Sequence, residues 1–333
     1  MERLKRSRGA WWTGIACMVL LSVAFSACEK IYDNLEACPH GVSLRFVYDY
    51  NMLFSNAFPK EVDCLTLYVY DEEENYVATH VVTEEALLQD EDWRMQLELS
   101  EGTYHFVVYG GMACGKRSFG PVSEPDTLSL STDLRTRLDA ECLTDPDRKN
   151  LHGFYWGELT LSTADLFREG VVKMMKNTNN IRIVLQDVNG GSEHGDDFTF
   201  EIMDDNTLFG PDNDLISAGN VTYTPWRQGD APIGMVHGNA ITGAFAELST
   251  SRLMTKNEPH LVVRNKVSGQ DVIDIPLLNY LMLLRSDLYA DWDEQEFLDR
   301  QSTWEMLFLL DNNRWVRTYI KINDWTVRVN DIQ

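Results

Sequence analysis

Basic residues are scarce. Lys and Arg number 29 against 52 Asp and Glu, a formal charge of −23. This excludes nucleic acid as a partner, since phosphate contacts need Lys and Arg. It equally excludes electrostatic adhesion to anionic lipid. What it leaves is a solvated, self-repelling surface. Catalytic signatures are missing too. The seven histidines, at positions 40, 80, 105, 152, 194, 237 and 260, show no H-E-x-x-H or other close ligand spacing. There is no G-x-S-x-G elbow, phosphate loop or dinucleotide fingerprint. No cysteine pair has the C-x-x-C spacing of a zinc or thioredoxin-like site. Helical periodicity is rare, and only one long uncharged apolar run exists.

That run, Trp11 to Ala27, follows a basic segment with Arg3, Lys5, Arg6 and Arg8, and ends in Ser26-Ala27-Cys28. The layout is that of an export signal. At about seventeen residues the run is at the short limit for a bilayer span. The favoured reading is lipoprotein processing between Ala27 and Cys28, with acyl chains on Cys28. Phe25 stands where such sites more often carry Leu. An uncleaved helix and ordinary cleavage are the alternatives. Stable attachment takes more than one acyl chain, each buried methylene contributing about 0.8 kcal/mol, and a triacylated Cys28 meets that condition. Residues 1–27 are then the signal peptide and 28–37 a lipidated tether. Loss of four basic residues and one acidic residue leaves 25 against 51, a formal charge of −26.

About 306 mature residues suggest two domains of ordinary size, assigned here as 38–176 and 177–333. Cys17 leaves with the signal, so Cys38, Cys64, Cys114 and Cys142 remain. An even set in an oxidising compartment predicts two disulfides, with three pairings open.

Alternation predicts strands. Val42, Leu44, Phe46 and Tyr48 share one face of the first. Val62 to Tyr70 is rich in branched and aromatic residues, and Tyr76 to Val82 returns beside it after an acidic turn. Strands are also expected at 93–99, 104–109, 128–130, 134–138, 152–160 and 171–175. The first half therefore reads as a β-sandwich. In the second half, 180–187 and 198–206 echo the first strand and the strand-plus-acidic-turn of 65–75, which suggests two copies of one topology. Strands are expected at 241–248, 260–266, 271–275, 304–310, 315–322 and 324–330, and helices after Pro276 and over 295–300. In the last strand Trp325, Val327 and Val329 share a face.

Asp196-Asp197, Asp204-Asp205, Asp212 and Asp214 do not match a calcium loop and read as acidic turns. Glu158 and Asp165 are not paired by sequence for glycoside chemistry. The nine tryptophans suit core packing or, alternatively, a sugar site.

Several blocks together resemble the fimbrillin-associated anchor family (FimB-type) of type V pili. They are Ile31-Tyr-Asp33, Cys38-Pro39, Gly41 to Asn51, Asn56-Ala-Phe-Pro59, Val62 to Asp71, Tyr109-Gly-Gly111, Lys176-Asn-Thr-Asn179 with Ile181, Glu247 to Leu253, Gln295 to Arg300, and Ile322-Asn-Asp-Trp325. They cover nearly the whole mature chain in order. The resemblance implies two tandem transthyretin-like β-sandwich domains on an outer-membrane lipoprotein. It implies a pilus anchor or accessory subunit that contacts pilins by β-strand pairing, with no catalysis, cofactor or metal. In the related stalk proteins an Arg-specific protease cuts after the first strand. Here the loop from Tyr50 to Val62 contains Lys60 but no arginine, so the first strand should stay attached. The C-terminal strand, with Trp325, Val327 and Val329, is then the candidate pairing strand, unless it closes its own domain. The alternative function is a surface glycan-binding lipoprotein, which should expose several tryptophans on one face. A secreted hydrolase should instead gather carboxylates or histidines in a pocket.

Overall fold

Alternating apolar positions become paired strands throughout. The structure, a computed structural model, describes residues 39–236, 238–311, 314–322 and 325–329. The signal, the tether, Cys28 and Cys38 lie outside them. Strand accounts for 47% and helix for 13%, which makes the chain mainly β.

The first strands are β1 (His40–Val47), β2 (Leu65–Tyr70), β3 (Tyr76–Val82), β4 (Met95–Glu98), β5 (Thr103–Gly110), β6 (Phe119–Pro121), β7 (Thr136–Leu138), β8 (Tyr155–Ser162), β9 (Ala164–Asp165) and β10 (Arg168–Lys176). They are followed by β11 (Thr178–Asp187), β12 (Phe198–Asp204), β13 (Leu208–Phe209), β14 (Leu215–Ile216), β15 (Val221–Tyr223), β16 (Arg227–Val236) and β17 (Asn239–Ser251). The last are β18 (His260–Asn265), β19 (Asp271–Pro276), β20 (Thr303–Asp311), β21 (Arg314–Ile322) and β22 (Trp325–Val329). Among the described residues five short α-helices interrupt them: α1 (Phe58–Glu61), α2 (Glu85–Leu88), α3 (Glu141–Thr144), α4 (Leu277–Met282) and α5 (Glu294–Arg300).

An eight-stranded sheet runs β3-β2-β5-β8-β10-β1-β4, with β9 also paired to β1. Val42, Leu44 and Phe46 of β1 share one apolar core with Leu65, Leu67 and Val69 of β2, although the two strands lie far apart in the sheet order. The sheet therefore curls around its own core. Every residue of β2 is buried, because its other face, with Tyr68 and Tyr70, packs into a second core. That is why Leu65 to Tyr70 shows no polar alternation.

In the second half a six-stranded sheet, β16-β17-β11-β20-β21-β22, faces a four-stranded sheet, β15-β12-β18-β19. Ile181, Ile183, Leu185, Trp304, Met306 and Phe308 meet Phe198, Phe200, Ile202, Leu261 and Val263 in the larger core. A fourth sheet, β14-β13-β7-β6, takes strands from both halves of the chain. Its core is aromatic: Phe119 stacks on Phe154 at 4.3 Å, and Phe209 meets Phe154 edge-on at 5.6 Å.

Both halves repeat one device. β1 pairs in parallel with β10 and antiparallel with β4. β11 pairs in parallel with β20 and antiparallel with β17. In each half an early strand thus lies between a late strand and an antiparallel neighbour.

The strand expected around Leu128 and Leu130 is not formed. The Asp126 carboxylate accepts from the Leu128 amide and the Ser129 hydroxyl, making a local turn. Only an isolated bridge joins Leu130 to Asn75.

Candidate functional site

Two features bear on assembly: how firmly the first strand is held, and what the last strand does. β1 is an inner strand, bonded to β10 from Val42 to Val47 and to β4 from Gly41 to Leu44. Gly41 has φ +155°, and a Cβ there would come within 1.9 Å of the Leu97 carbonyl, so only glycine lets β4 approach. Arg45 is exposed on β1 and pairs with Val171 along the backbone.

The segment after β1 is structured. Asn56 Oδ1 accepts from the amides of Tyr48 and Phe58, and Asn51 Nδ2 donates to the carbonyls of Tyr48 and Ser55. Pro59 stands in the first turn of α1, as suits a residue with no amide proton. Lys60 lies inside that helical turn. Glu61 accepts from the Tyr155 hydroxyl at 2.9 Å and pairs with Lys176 at 2.8 Å. Burial, then the Glu61 charge, raises the pKa of Tyr155 and keeps its hydroxyl protonated as the donor. The loop tip is held from the second half: the Arg300 guanidinium carbon lies 4.0 Å from the Tyr50 ring centroid, 5.0 Å from Phe54 and 5.1 Å from Trp292. Sequence reasoning missed this cage. Glu296 and Arg300, four apart on α5, pair at 2.8 Å. Aromatics at 50, 54 and 292 were the available signal, but nothing in the chain order joins them.

The blocks around 176–181, 247–253 and 295–300 converge on one buried polar network. Asn177 and Asn213 exchange hydrogen bonds at 2.6 and 3.1 Å. Asn179 accepts from the Trp304 indole at 3.0 Å and donates to the Ser251 carbonyl. Arg252 grips Asp299 with two bonds, at 2.8 and 2.7 Å, and donates to the Asn213 carbonyl. A fork of this kind satisfies both charges where water is excluded. These residues tie β10, β11, β17 and α5 together.

Cys64 and Cys114 form a disulfide. It fastens the start of β2 to the loop after β5. Beside it Gly111, at φ +83°, allows the Gly153 carbonyl to approach where a Cβ would lie within 1.8 Å. The second bridge is a correction at Cys142, whose thiol is free. α3 turns it into the apolar core beside Phe119 and Leu138, with the Ser118 carbonyl 3.9 Å from its sulfur. Asp63 Oδ1 lies 2.9 Å from Cys114 Sγ and 3.0 Å from His152 Nε2. Asp63, Cys64 and Cys114 are the one convergence of three ligand-type side chains among the described residues. With both sulfurs bonded to each other, that group offers no thiolates.

The acidic pairs fall in turns, with one exception. Asp205 accepts from the Ser217 hydroxyl and the Ala218 amide, and Asp212 from the Asp214 amide. Asp204 is buried instead. Glu158 faces His105 at 3.3 Å, whereas Asp165 is paired with His40 between β9 and β1. Of the six tryptophans with described side chains, Trp304 is buried and Trp93, Trp156, Trp226, Trp292 and Trp315 are half-buried.

At the other end, β22 pairs antiparallel with β21, from Ile322 opposite Trp325 to Thr318 opposite Val329. Trp325, Val327 and Val329 thus belong to a strand closed on its own chain, at the outer edge of the six-stranded sheet.

These features define a β-rich protein whose first strand is held inside its sheet and whose last described strand pairs within its own chain. The chain belongs to the family of fimbrillin-A associated anchor proteins Mfa1 and Mfa2, whose model matches residues 35–331. Membership carries a fimbrial accessory or anchor role at the cell surface. The minor fimbrium anchoring subunit Mfa2 of Porphyromonas gingivalis is 22% identical over 278 residues, covering 82% of this chain and 78% of that protein. The solved Mfa2 structure shares the fold, with a TM-score of 0.63 at 14% identity over 87% of this chain and 99% of that one. A candidate adhesin from Bacteroides thetaiotaomicron is 60% identical, with a TM-score of 0.85 over 89% of this chain and 100% of its own. A second structure from that organism, described as a candidate polysaccharide-binding protein, is 27% identical, with a TM-score of 0.74 over 87% and 98%.

Proposed function

We propose that this chain is an outer-membrane lipoprotein that anchors a type V fimbria, held by acyl chains on Cys28 and joined to a pilin by β-strand pairing. The observation that carries the reading is the hold on β1. An inner strand, a structured following loop without arginine, and an Arg300 cage over that loop all favour an uncut path from Cys28 into the fold. An anchor requires that continuity. The repeated parallel pairings, β1 with β10 and β11 with β20, support reading 38–176 and 177–333 as tandem transthyretin-like domains fused through a shared sheet. The pilin contact is assigned to β22, where the open edge of a terminal strand offers main-chain groups to a partner. Surface glycan binding has less support, because the six tryptophans with described side chains are half-buried or buried.

In cells, Cys28→Ala should shift the protein from the membrane fraction to the soluble one. Retention of that variant in membranes would sink the lipid anchor. Deletion of Asp324 to Gln333 should weaken co-purification with pilin while leaving the protein membrane-bound and its thermal melt cooperative. A folded deletion variant with undiminished pilin association would remove β22 from the account.

A further inference from the structure

Exposed sheet edges are templates for pairing, and proteins blunt them with shortness, charge, proline or bulges. Eight described strands end a sheet, and seven are blunted in these ways. β4, β6, β14 and β15 have four residues or fewer. β16 carries Arg227, Asp230 and Pro232 with a register break, β19 carries Asp271 and Asp274 and ends on Pro276, and β22 has five residues with Arg328. β3 is the least blunted: its one irregularity is a register break at Val77, near its start. Its seven residues, Tyr-Val-Ala-Thr-His-Val-Val, include no proline and no Asp, Glu, Lys or Arg. Burial lowers the pKa of His80 and keeps its ring neutral.

One side of β3 is paired with β2 from Ala78 to Val82 and again at Tyr76, with Val77 bulged between them. On the other side, the Tyr76 amide donates to the Ser129 carbonyl at 3.0 Å. Past that bond, no hydrogen bond among the described residues reaches the outer edge. Val77 and Val81 are 42% and 54% exposed beside it. Exposed Glu72 and Glu73 precede the strand, and exposed Glu84 and Glu85 follow it.

The charges choose the occupant. Antiparallel pairing of two copies would set Glu72 and Glu73 against Glu84 and Glu85, and parallel pairing would set each against itself. Like charges across a strand pair are destabilising, and the whole chain carries −23. A heterologous strand with basic ends meets no such repulsion. We propose that the open edge of β3 is a docking site for an extended segment of another protein, uncharged and β-branched over about seven residues and carrying Lys or Arg at both ends. Backbone bonds supply the affinity, and the glutamates at the strand's ends set register and selectivity. The proposal is independent of the anchor reading and uses a different edge from β22.

The probe is a labelled peptide of alternating Thr and Val with lysines at both ends, titrated into the full mature chain by anisotropy and mapped by amide hydrogen exchange. Binding should slow exchange within Tyr76 to Val82. Two central prolines in the peptide should abolish it, and glutamate ends should weaken it at least about tenfold at low salt. In the protein, Val77→Asp with Val81→Asp should also weaken binding about tenfold, with the melt still cooperative and the chain folded at the assay temperature, because Asp is poorly suited to strand pairing. Simple charge attraction predicts the opposite, since those aspartates would strengthen it. The proposal fails if the proline peptide binds equally, if protection maps away from β3, or if no binding occurs at millimolar peptide. It also fails if the chain itself dimerises in a form that the double aspartate variant dissolves.

Discussion

Two buried carboxylates show how differently one side chain can be used. Asp299 is held by both nitrogens of the Arg252 fork and also accepts from Gln295. Asp204 has no such partner. Its Oδ1 accepts from the Asp205 amide at 2.8 Å and Asn257 at 3.0 Å, while its buried Oδ2 accepts nothing. Burial therefore pushes its pKa from 3.8 up to about 6, those two bonds opposing and the Asp205 charge adding. Below about pH 6 the folded protein takes a proton that the unfolded chain does not take until near pH 4, so Asp204 becomes less destabilising as pH falls through that window. Two pH units correspond to about 3 kcal/mol. The Asp204→Asn variant should gain on the wild type by about 2–3 kcal/mol between pH 4 and pH 7 in denaturant unfolding. A difference that stays constant across that range would show that Asp204 is solvated. The sequence carries a signal for this: Asp204 is in phase with Phe198, Phe200 and Ile202, the inward face of β12. Read as a dipeptide, Asp204-Asp205 looked like one acidic turn. Read by alternation, its first member points inward.

At the scale of elements, the loop from Tyr50 to Ala57 is held by its own asparagines and by one arginine from far along the chain. Cation–π contacts contribute roughly 0.5–1 kcal/mol each at exposed sites. Losing the two to Tyr50 and Phe54, about 1–2 kcal/mol together, should let the loop open about tenfold more often. Arg300→Ala should therefore speed chymotrypsin cleavage at Tyr50 or Phe54 by about that factor, while the rest of the chain keeps its resistance. Unchanged cleavage would mean that the asparagine bonds suffice. Local elements were legible because their signals are local. Tyr76 to Val82 was read with the boundaries it has, since an acidic turn and branched residues mark both ends. The parallel partners of β1 and β11 were not legible. Each lies across an entire half of the chain, and alternation says which face is buried without saying which strand is adjacent. Leu128 and Leu130 misled for a related reason, because the Asp126 turn outweighs two apolar residues.

For the whole molecule, the blocks that carried the family resemblance acquire a physical meaning. Residues 176–181, 247–253 and 295–300 are scattered in sequence but form the single polar network that locks β10, β11, β17 and α5. Their spacing could suggest a family but not a shared location. The cysteines were half legible. Their even number implied bridging, and Cys64 with Cys114 is one bridge, but composition could not reveal that α3 turns Cys142 into an apolar core. The central claim is that an unbroken covalent path runs from a lipid at the membrane, through β1, into a fold that pairs non-covalently with a fimbrial subunit. Intact-mass and peptide mass spectrometry of the protein isolated with fimbriae from gently solubilised membranes tests it most directly. The account predicts a chain that starts at acylated Cys28, is uncut between Tyr50 and Val62, and is recovered together with a pilin. A chain starting after that loop, an unmodified Cys28, or recovery without pilin would contradict it.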